Sequence, residues 1–156
     1  MAIAVTLREY LDTRAINYDV LKHQPTHTAS HTAETSHVPG DRLAKAVVLK
    51  GAGGFLVAVV PASYYVRLDE VSELLERTLD FATEDEFQPL FADCERGAIP
   101  ALASAYGLET VIDERMDQPQ DIYLEAGDHQ SLIHLSQQQF RELTWDAFHG
   151  RFAKHM

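Results

Sequence analysis

The chain has 156 residues, of which 46% are hydrophobic and 24% are charged, a composition typical of a globular domain. Its formal net charge is −11, from 13 Lys and Arg against 24 Asp and Glu, which argues against a broad basic surface for nucleic acid. A single cysteine excludes an intramolecular disulfide, and no apolar run is long enough to span a membrane. We expect one cytoplasmic domain over residues 1–156, without a signal peptide.

The N-terminal part of the chain predicts a helix, a strand and a second helix. Residues 6–9 have the pattern of a capping box, and the positions after it continue an apolar helical stripe. Residues 18–21 alternate between polar and apolar side chains, as a strand does. Thr28 is the predicted N-cap of a second helix, which runs to Thr35 and ends before Pro39.

Residues 43–61 predict two strands joined by a glycine-rich turn, with Pro61 at the end of the second strand. Successive positions are apolar in both strands, which predicts a hairpin buried on both faces in the middle of a sheet. Lys45 stands at the head of this hairpin, on the same face as Val47 and Leu49. Its position alone leaves two interpretations open: a functional lysine, or a strand lysine whose ammonium reaches solvent.

The middle of the chain predicts short elements with clear start signals. Asp69 is the predicted N-cap of a helix, and residues 78–82 predict a strand. Residues 83–86 form a second capping box, which begins a helix that Pro89 keeps short or kinks. A loop follows over residues 93–100.

The C-terminal part predicts strands at residues 109–112, 122–125 and 132–135, the last two joined by a corner at residues 126–129. A third capping box at residues 136–139 begins a helix. Trp145, Phe148 and Phe152 follow at near-helical spacing, which predicts one more helix. The fold class expected is therefore α+β, with helices around one mixed sheet.

The histidines give only weak evidence for a metal site, and the cysteine gives only weak evidence for a catalytic nucleophile. His23, His27 and His31 are spaced i, i+4, i+8, but Pro25 breaks the helix that would bring their imidazoles together as metal ligands. Cys94 has apolar neighbours and no catalytic signature, so we interpret it as a packed thiol. We expect neither a metal nor another cofactor.

Three turns and a lysine also have simple structural interpretations. The glycines of residues 51–54 join two strands, whereas phosphate-binding loops lead into a helix. The backbone amides of residues 97–100 could line an anion site, although an isolated tetrapeptide predicts only a turn. Residues 127–129 are typical of a hairpin corner, and Lys50 is typical of a solvated strand end.

Seven short segments follow one another in a characteristic order. They are HQPTHT at residues 23–28, VP at 38–39, AKAVVLK at 44–50, AVVP at 58–61, ATEDE at 82–86, CERGAIP at 94–100 and GDH at 127–129. No segment is specific alone. The ordered set, within about residues 18–143, resembles the YbaK-type aminoacyl-tRNA deacylases, which are related to the editing domain inserted in bacterial prolyl-tRNA synthetases.

The resemblance implies a mixed, partly barrel-like sheet surrounded by helices. It also implies hydrolysis of the ester that joins a wrong amino acid to the 3′ end of tRNA, and we expect a free-standing enzyme that acts in trans. Because a chain with a net charge of −11 is expected to bind only the 3′ end of tRNA, a synthetase or elongation factor is the expected partner for selection of the tRNA. The implied catalytic residues are the active-site lysine and the turn that holds the reacting carbonyl, namely Lys45, Gly97, Ala98 and Ile99. The implied substrate-binding residues are Thr26, Thr28, Lys50, Pro100, Gly127 and His129.

Several positions depart from the family pattern. His37 stands where the family often has Gly, and Ala46 stands where it often has Thr. An aromatic residue commonly follows the proline of the 97–100 turn, but this chain has Ala101 and Leu102. These differences touch the expected pocket, so the amino acid that is removed stays open.

The chemistry needs few groups, because an aminoacyl ester is already activated and requires only a polarised carbonyl and a positioned water or 2′-hydroxyl. Two alternatives remain: a non-catalytic regulatory module that binds an aminoacyl-tRNA or a nucleotide-like ligand, and a hydrolase of another small ester. The joint presence of Lys45, Gly97 and Pro100 favours the deacylase.

Overall fold

The structure, a computed structural model, describes residues 3–23, 32–33 and 38–156. In these ranges the α-helices are α1 (Val5–Thr13), α2 (Leu68–Leu75), α3 (Glu84–Phe87) and α4 (Gln137–Leu143). The strands are β1 (Asp19–Lys22), β2 (Leu43–Gly51), β3 (Gly54–Pro61), β4 (Tyr64–Val66), β5 (Asp80–Phe81), β6 (Glu109–Asp113), β7 (Ile122–Glu125), β8 (Ser131–Leu135), β9 (Phe148–Gly150) and β10 (Ala153–His155).

A mixed sheet dominates the described part of the chain. Seven of its strands lie in the order β1-β8-β7-β2-β3-β6-β9, and β5 pairs with β2. Strand β2 runs antiparallel to β3 and parallel to β7, while β3 runs parallel to β6. Strands β4 and β10 form a separate antiparallel ribbon. The α+β class with one large mixed sheet is confirmed.

The central hairpin is confirmed, with β2 and β3 in the middle of the sheet. Alternate residues of β2 pack on opposite faces: Ala44 and Val48 join the main core, whereas Leu49 joins a second cluster. The turn between the strands consists of residues 52 and 53, and β3 ends at Pro61 as predicted.

Two of the predicted helix starts are confirmed and two are wrong. Thr83 and Ser136 each form the predicted capping box, in which the side chains of the first and fourth residues accept each other's backbone N–H groups. Helix α1 instead begins at Val5, and the N–H of Thr6 donates to Asp93 Oδ2 at 2.8 Å, so a distant carboxylate caps it. Asp69 lies inside the first turn of α2, after an N-cap at Arg67.

The predicted C-terminal helix is wrong, because the tail forms β9 and β10. Strand β9 extends the sheet beside β6, and β10 pairs with β4. The Asp113 carboxylate accepts hydrogen bonds from the N–H groups of Phe152 and Ala153, at 2.9 and 2.8 Å. Backbone partners far along the chain therefore override the helical spacing, and they leave the side chain of Trp145 exposed.

The remaining predictions differ at the ends of elements. The strand expected over residues 78–82 is limited to Asp80–Phe81, and the strand expected at residues 18–21 is shifted by one residue. The second predicted helix lies largely outside the described residues, although Thr32 and Ala33 are helical. Within the described ranges, no helix is both long enough and apolar enough to cross a membrane.

Candidate active site

The candidate site lies where the sheet opens beside β2. Strands β2 and β7 pair at Leu43–Tyr123 and Ala44–Leu124, and β2 next pairs on that side with β5, at Leu49–Phe81. Between these pairings, the described part of the chain places no strand against that edge of β2. One further step of the β2–β7 register would bring Lys45 opposite Glu125, so these two residues stand at the beginning of the gap.

A cavity of about 190 Å³ occupies this opening, and we call it the gap cavity. It is lined by residues 44–46 of β2, Glu84 and Phe87 of α3, Gly97 and Ile99 of the following loop, and Glu125 at the end of β7. At ~30 Å³ per water, this volume suits a small acyl group rather than a whole nucleotide. The structure therefore brings together three of the predicted catalytic residues, Lys45, Gly97 and Ile99.

Lys45 lies on the sheet face predicted for it, beside the cluster that contains Leu49. Its ammonium donates a hydrogen bond to the backbone carbonyl of Tyr64 at 2.6 Å, and burial lowers the pKa of this lysine. Tyr64 lines a neighbouring cavity of about 430 Å³ with Pro61 and Arg115, which we call the Tyr64 cavity. Lys45 thus lines the gap cavity, and its ammonium is held by a neutral acceptor of a residue that lines the Tyr64 cavity.

The turn at residues 97–100 forms one wall of the gap cavity. Gly97 has a φ of 81°, a left-handed conformation that glycine adopts without the steric cost of a Cβ. The N–H of Ala98 donates to the carbonyl of Glu95 at 3.1 Å, so this amide closes the turn itself. Pro100 is buried behind the turn. Gly97 and Ile99 are the two residues of this turn that line the gap cavity.

Two predicted substrate-binding residues, Gly127 and His129, form the corner between β7 and β8. Both adopt left-handed conformations, with φ of 103° and 62°. Gly127 lines a third cavity with Cys94, while its carbonyl accepts the N–H of Glu95 at 2.9 Å. A Cβ at Gly127 would lie 2.9 Å from Ala4 Cβ. The corner thus supports the loop that carries the 97–100 turn.

The predicted contact Lys50 does not line the gap cavity. It pairs with Glu86 at 2.7 Å, and this ammonium, together with the Thr83 backbone, lowers the pKa of Glu86 to about 2. Arg96 likewise pairs with Glu84 and Asp85 of α3. The acidic first turn of α3 therefore neutralises two cations near the cavity.

Glu125 is a cavity residue that the sequence analysis missed. This residue is 6% exposed, and the Thr32 hydroxyl donates to its Oε2 at 3.0 Å. Burial raises the pKa of Glu125 to about 7; the Thr32 hydrogen bond opposes this shift, and the charge of Asp128 adds to it. An acidic residue ending the apolar strand 122–125 was the available signal, the same kind that singled out Lys45.

Thr26 and Thr28, the remaining predicted contacts, lie outside the described residues, as do His27 and His31. Over the ranges that the structure covers, no three His, Cys, Asp or Glu side chains are grouped as metal ligands would be. The Cys94 thiol is buried, 3.1 Å from the Tyr106 hydroxyl, and burial raises its pKa to about 12. Such a thiol suits packing rather than nucleophilic attack.

Solved structures share this fold at low sequence identity. The hypothetical protein APE2540 matches with a TM-score of 0.84 and 19% identity, over 96% of this chain and 99% of its own. A protein provisionally described as a trans-editing enzyme for prolyl tRNA synthetase matches with a TM-score of 0.82 and 21% identity, over 97% and 96%. Part of a provisionally named signal transduction protein from Marinobacter aquaeolei VT8 matches with a TM-score of 0.78 and 23% identity, over 96% of this chain and 30% of that one.

Sequence comparison identifies the family directly. No curated protein sequence is significantly similar to this chain. The family model for the aminoacyl-tRNA editing domain, however, matches residues 23–143, which include β2, the 97–100 turn and Glu125. The match spans well over half of the chain and contains the gap cavity. The chain belongs to the aminoacyl-tRNA editing domain family.

Proposed function

We propose that this protein hydrolyses, in trans, the ester between a wrong amino acid and the 3′-terminal ribose of tRNA. The observation that carries the proposal is the meeting of Lys45 with Gly97 and Ile99 around a cavity of about 190 Å³. Membership of the editing-domain family supports the substrate class. The similar structure described as a trans-editing enzyme supports action in trans.

The proposed chemistry uses position and charge rather than a protein nucleophile. The ester carbonyl lies against the backbone amides of Gly97 and Ile99, which stabilise the oxyanion as it forms. Water, oriented by the protein or by the vicinal 2′-hydroxyl, attacks the acyl carbon. The carbonyl electron pair moves to oxygen and returns as the bond to the ribose 3′ oxygen breaks, and that oxygen takes a proton originating from the water.

Lys45 binds the nucleotide side of the substrate in this scheme. Its ammonium exchanges the Tyr64 carbonyl for a phosphate or ester oxygen of the 3′ end, which the flexible four-carbon stem allows. The exchange replaces a neutral acceptor by a charged or polarised one, which strengthens the hydrogen bond. The Tyr64 cavity then accommodates part of the terminal nucleotide beside the lysine.

A panel of mischarged tRNAs tests the proposal. We expect purified protein to accelerate hydrolysis of at least one mischarged tRNA above its spontaneous rate in the same buffer. The free amino acid and intact tRNA should appear in equal amounts, as ester hydrolysis requires. Spontaneous rates throughout a panel covering all the proteinogenic amino acids would contradict the proposal.

A second candidate is a ligand-binding regulatory module. It is favoured by the similar fold that occupies 30% of a longer protein provisionally named a signal transduction protein. The same panel separates the two functions, because a module would bind an aminoacylated 3′ end without shortening the lifetime of its ester.

A further inference from the structure

Glu125 lines the gap cavity, and only one oxygen of its buried carboxyl group accepts a hydrogen bond from the part of the chain that the structure describes. It ends β7 beside the opening, and the residue is 6% exposed. The Thr32 hydroxyl donates a hydrogen bond to one carboxyl oxygen, Oε2. The other oxygen, Oε1, is buried and has no hydrogen-bond partner among the described residues.

The nearby ammonium does not supply the missing donor. Lys45 stands one register step from Glu125 across the gap, but its Nζ donates to the Tyr64 carbonyl. The raised pKa of Glu125 agrees with this arrangement, because burial outweighs the single hydrogen bond from Thr32. A buried carboxyl oxygen without a donor is costly, so a ligand that brings a donor into the cavity gains binding free energy.

We propose that Glu125 binds the α-ammonium group of the aminoacyl moiety through Oε1, while the 97–100 turn holds the carbonyl. This inference rests on the proposed function and specifies how its substrate is recognised. The α-ammonium lies one carbon from the ester carbonyl, so a cavity of this size accommodates both groups. An ammonium and a desolvated carboxylate form a charge-assisted hydrogen bond, which is stronger than a neutral one.

The same geometry predicts selectivity for esters whose α-amino group is free. Every aminoacyl-tRNA carries a free α-ammonium, whereas an N-acylated ester lacks the charge and adds bulk at the atom that would face Glu125. The protein therefore discriminates by the α-substituent before it discriminates by the side chain. Esters of N-acylated amino acids are poor substrates under this assignment, even when their side chain fits.

The test compares two esters that differ at one group. Alanyl and lactyl esters of the same RNA minihelix differ in having an α-ammonium or an α-hydroxyl, and each rate is divided by the spontaneous rate of that ester. We expect wild-type protein to prefer the alanyl ester by ~10–100-fold in normalised kcat/KM, the range for a hydrogen bond to a charged group. Glu125→Gln abolishes this preference, and Glu125→Asp retains part of it.

Two other carboxylates serve as controls for Glu125, one exposed and one in the same cavity. Glu142→Gln removes an exposed carboxylate from α4 and leaves the preference unchanged. Glu84 also lines the gap cavity, but it is paired with Arg96. Loss of the preference in Glu84→Gln with retention in Glu125→Gln overturns the assignment. Equal normalised rates for the two esters in wild-type protein overturn it without any variant.

A binding measurement tests this inference even if the proposed hydrolysis fails. If no ester is hydrolysed, calorimetry with non-hydrolysable 3′-alanylamido-adenosine and its 3′-lactylamido counterpart gives the answer. Tighter binding of the alanyl compound, lost in Glu125→Gln, supports the inference although the deacylase proposal has failed. Equal binding, or no binding of either compound, overturns it. A Glu125→Gln variant that changes only the preference among amino-acid side chains also overturns it.

Discussion

At the residue scale, Lys45 and Glu125 stand beside the same gap, and burial favours the neutral form of each. Burial lowers the pKa of Lys45 and raises that of Glu125 to about 7. The two charges are not paired with each other, because the lysine donates to the Tyr64 carbonyl and Thr32 donates to the glutamate. An aminoacyl 3′ end carries both complements, oxygen acceptors for the lysine and an ammonium for the glutamate.

Replacement of Lys45 tests its role directly. Lys45→Ala is expected to remain folded and to lose ~10²–10³ in deacylation rate, the usual loss when one charged donor is removed from such a site. Lys50→Ala should be much milder, because Lys50 pairs with Glu86 outside the gap cavity. The measurement is single-turnover deacylation, with the exposed Lys154→Ala as the control. Near-wild-type turnover in Lys45→Ala would contradict the mechanism.

Burial of Glu125 should appear in the pH dependence of stability. Its pKa is raised from 4.5 to about 7, so the unfolded chain releases the proton more readily and the folded state loses stability as pH rises between these values. The shift corresponds to on the order of 3 kcal/mol above pH 7, which a variant without this ionisation does not lose. Between pH 5 and pH 8, Glu125→Gln should therefore gain stability relative to wild type.

Urea unfolding of both proteins at the two pH values measures this difference, and the cost of burying an amide cancels in the comparison. Glu142→Gln, in which an exposed carboxylate is lost, should follow wild type at both pH values. A wild-type and Glu125→Gln pair whose stability difference does not change with pH would mean that Glu125 ionises normally.

At the element scale, the loop before the 97–100 turn is held at two points. Asp93 caps α1 through the N–H of Thr6, and the N–H of Glu95 donates to the Gly127 carbonyl in the β7–β8 corner. The 97–100 turn is therefore positioned by a helix start and a hairpin corner, both distant in sequence. This is a physical role for the GDH segment in addition to any contact with substrate.

One buried carboxylate binds the backbone where the two C-terminal strands meet. Asp113 is fully buried and accepts the N–H groups of Arg115, Phe152 and Ala153. Asp113→Asn should lower the free energy of unfolding by about 2–4 kcal/mol, because hydrogen bonds to a charged acceptor are lost in the core. Urea denaturation followed by circular dichroism measures the change.

The matched control for that variant is Glu114→Gln, the next residue, whose exposed pair with Arg151 contributes within about 1 kcal/mol. If Asp113→Asn were no less stable than this control, the tail would be held by side-chain packing rather than by the carboxylate.

At the scale of the whole molecule, the formal charge of −11 limits how tRNA is bound. Lys50, which was expected to bind substrate, and Arg96, which lies next to the 97–100 turn, are both paired with carboxylates of α3. A grip on the 3′ end through two or three phosphates corresponds to roughly −0.7 per phosphate in the log–log dependence of kcat/KM on salt. We expect a slope shallower than about −2.

A series of salt concentrations with one good substrate measures the slope. A value steeper than about −5 would require more phosphate contacts than a 3′-end grip supplies. With so few contacts, affinity for uncharged tRNA should be weak, and we expect a partner such as a synthetase or elongation factor to select the tRNA.

Deacylation should not require a metal ion. The described residues contain no group of ligands for one, and the proposed chemistry relies on backbone amides and a lysine. Treatment with a chelator followed by dialysis should leave kcat/KM unchanged. A loss of activity that added zinc restores would show that a metal site takes part.

Local signals in the sequence predicted the elements that depend on neighbouring residues. The capping boxes at Thr83 and Ser136 and the central hairpin were confirmed, since their hydrogen bonds and apolar patterns lie within short segments. The family resemblance predicted Lys45 and the 97–100 turn, which the structure places at one cavity. Local patterns and the ordered set of family segments were therefore enough to predict the fold class and to bring Lys45 and the 97–100 turn into one candidate site.

Only the tertiary structure decided features whose partners are distant in the chain. The tail forms strands rather than a helix because β6 and β4 offer open backbone edges, and α1 is capped by Asp93 across 87 residues. Glu125 joins the site because β7 and β2 separate one residue beyond their last pair. A carboxylate at the end of an apolar strand has no assigned partner until the neighbouring strand is known, and the register between the strands decides which side chains meet.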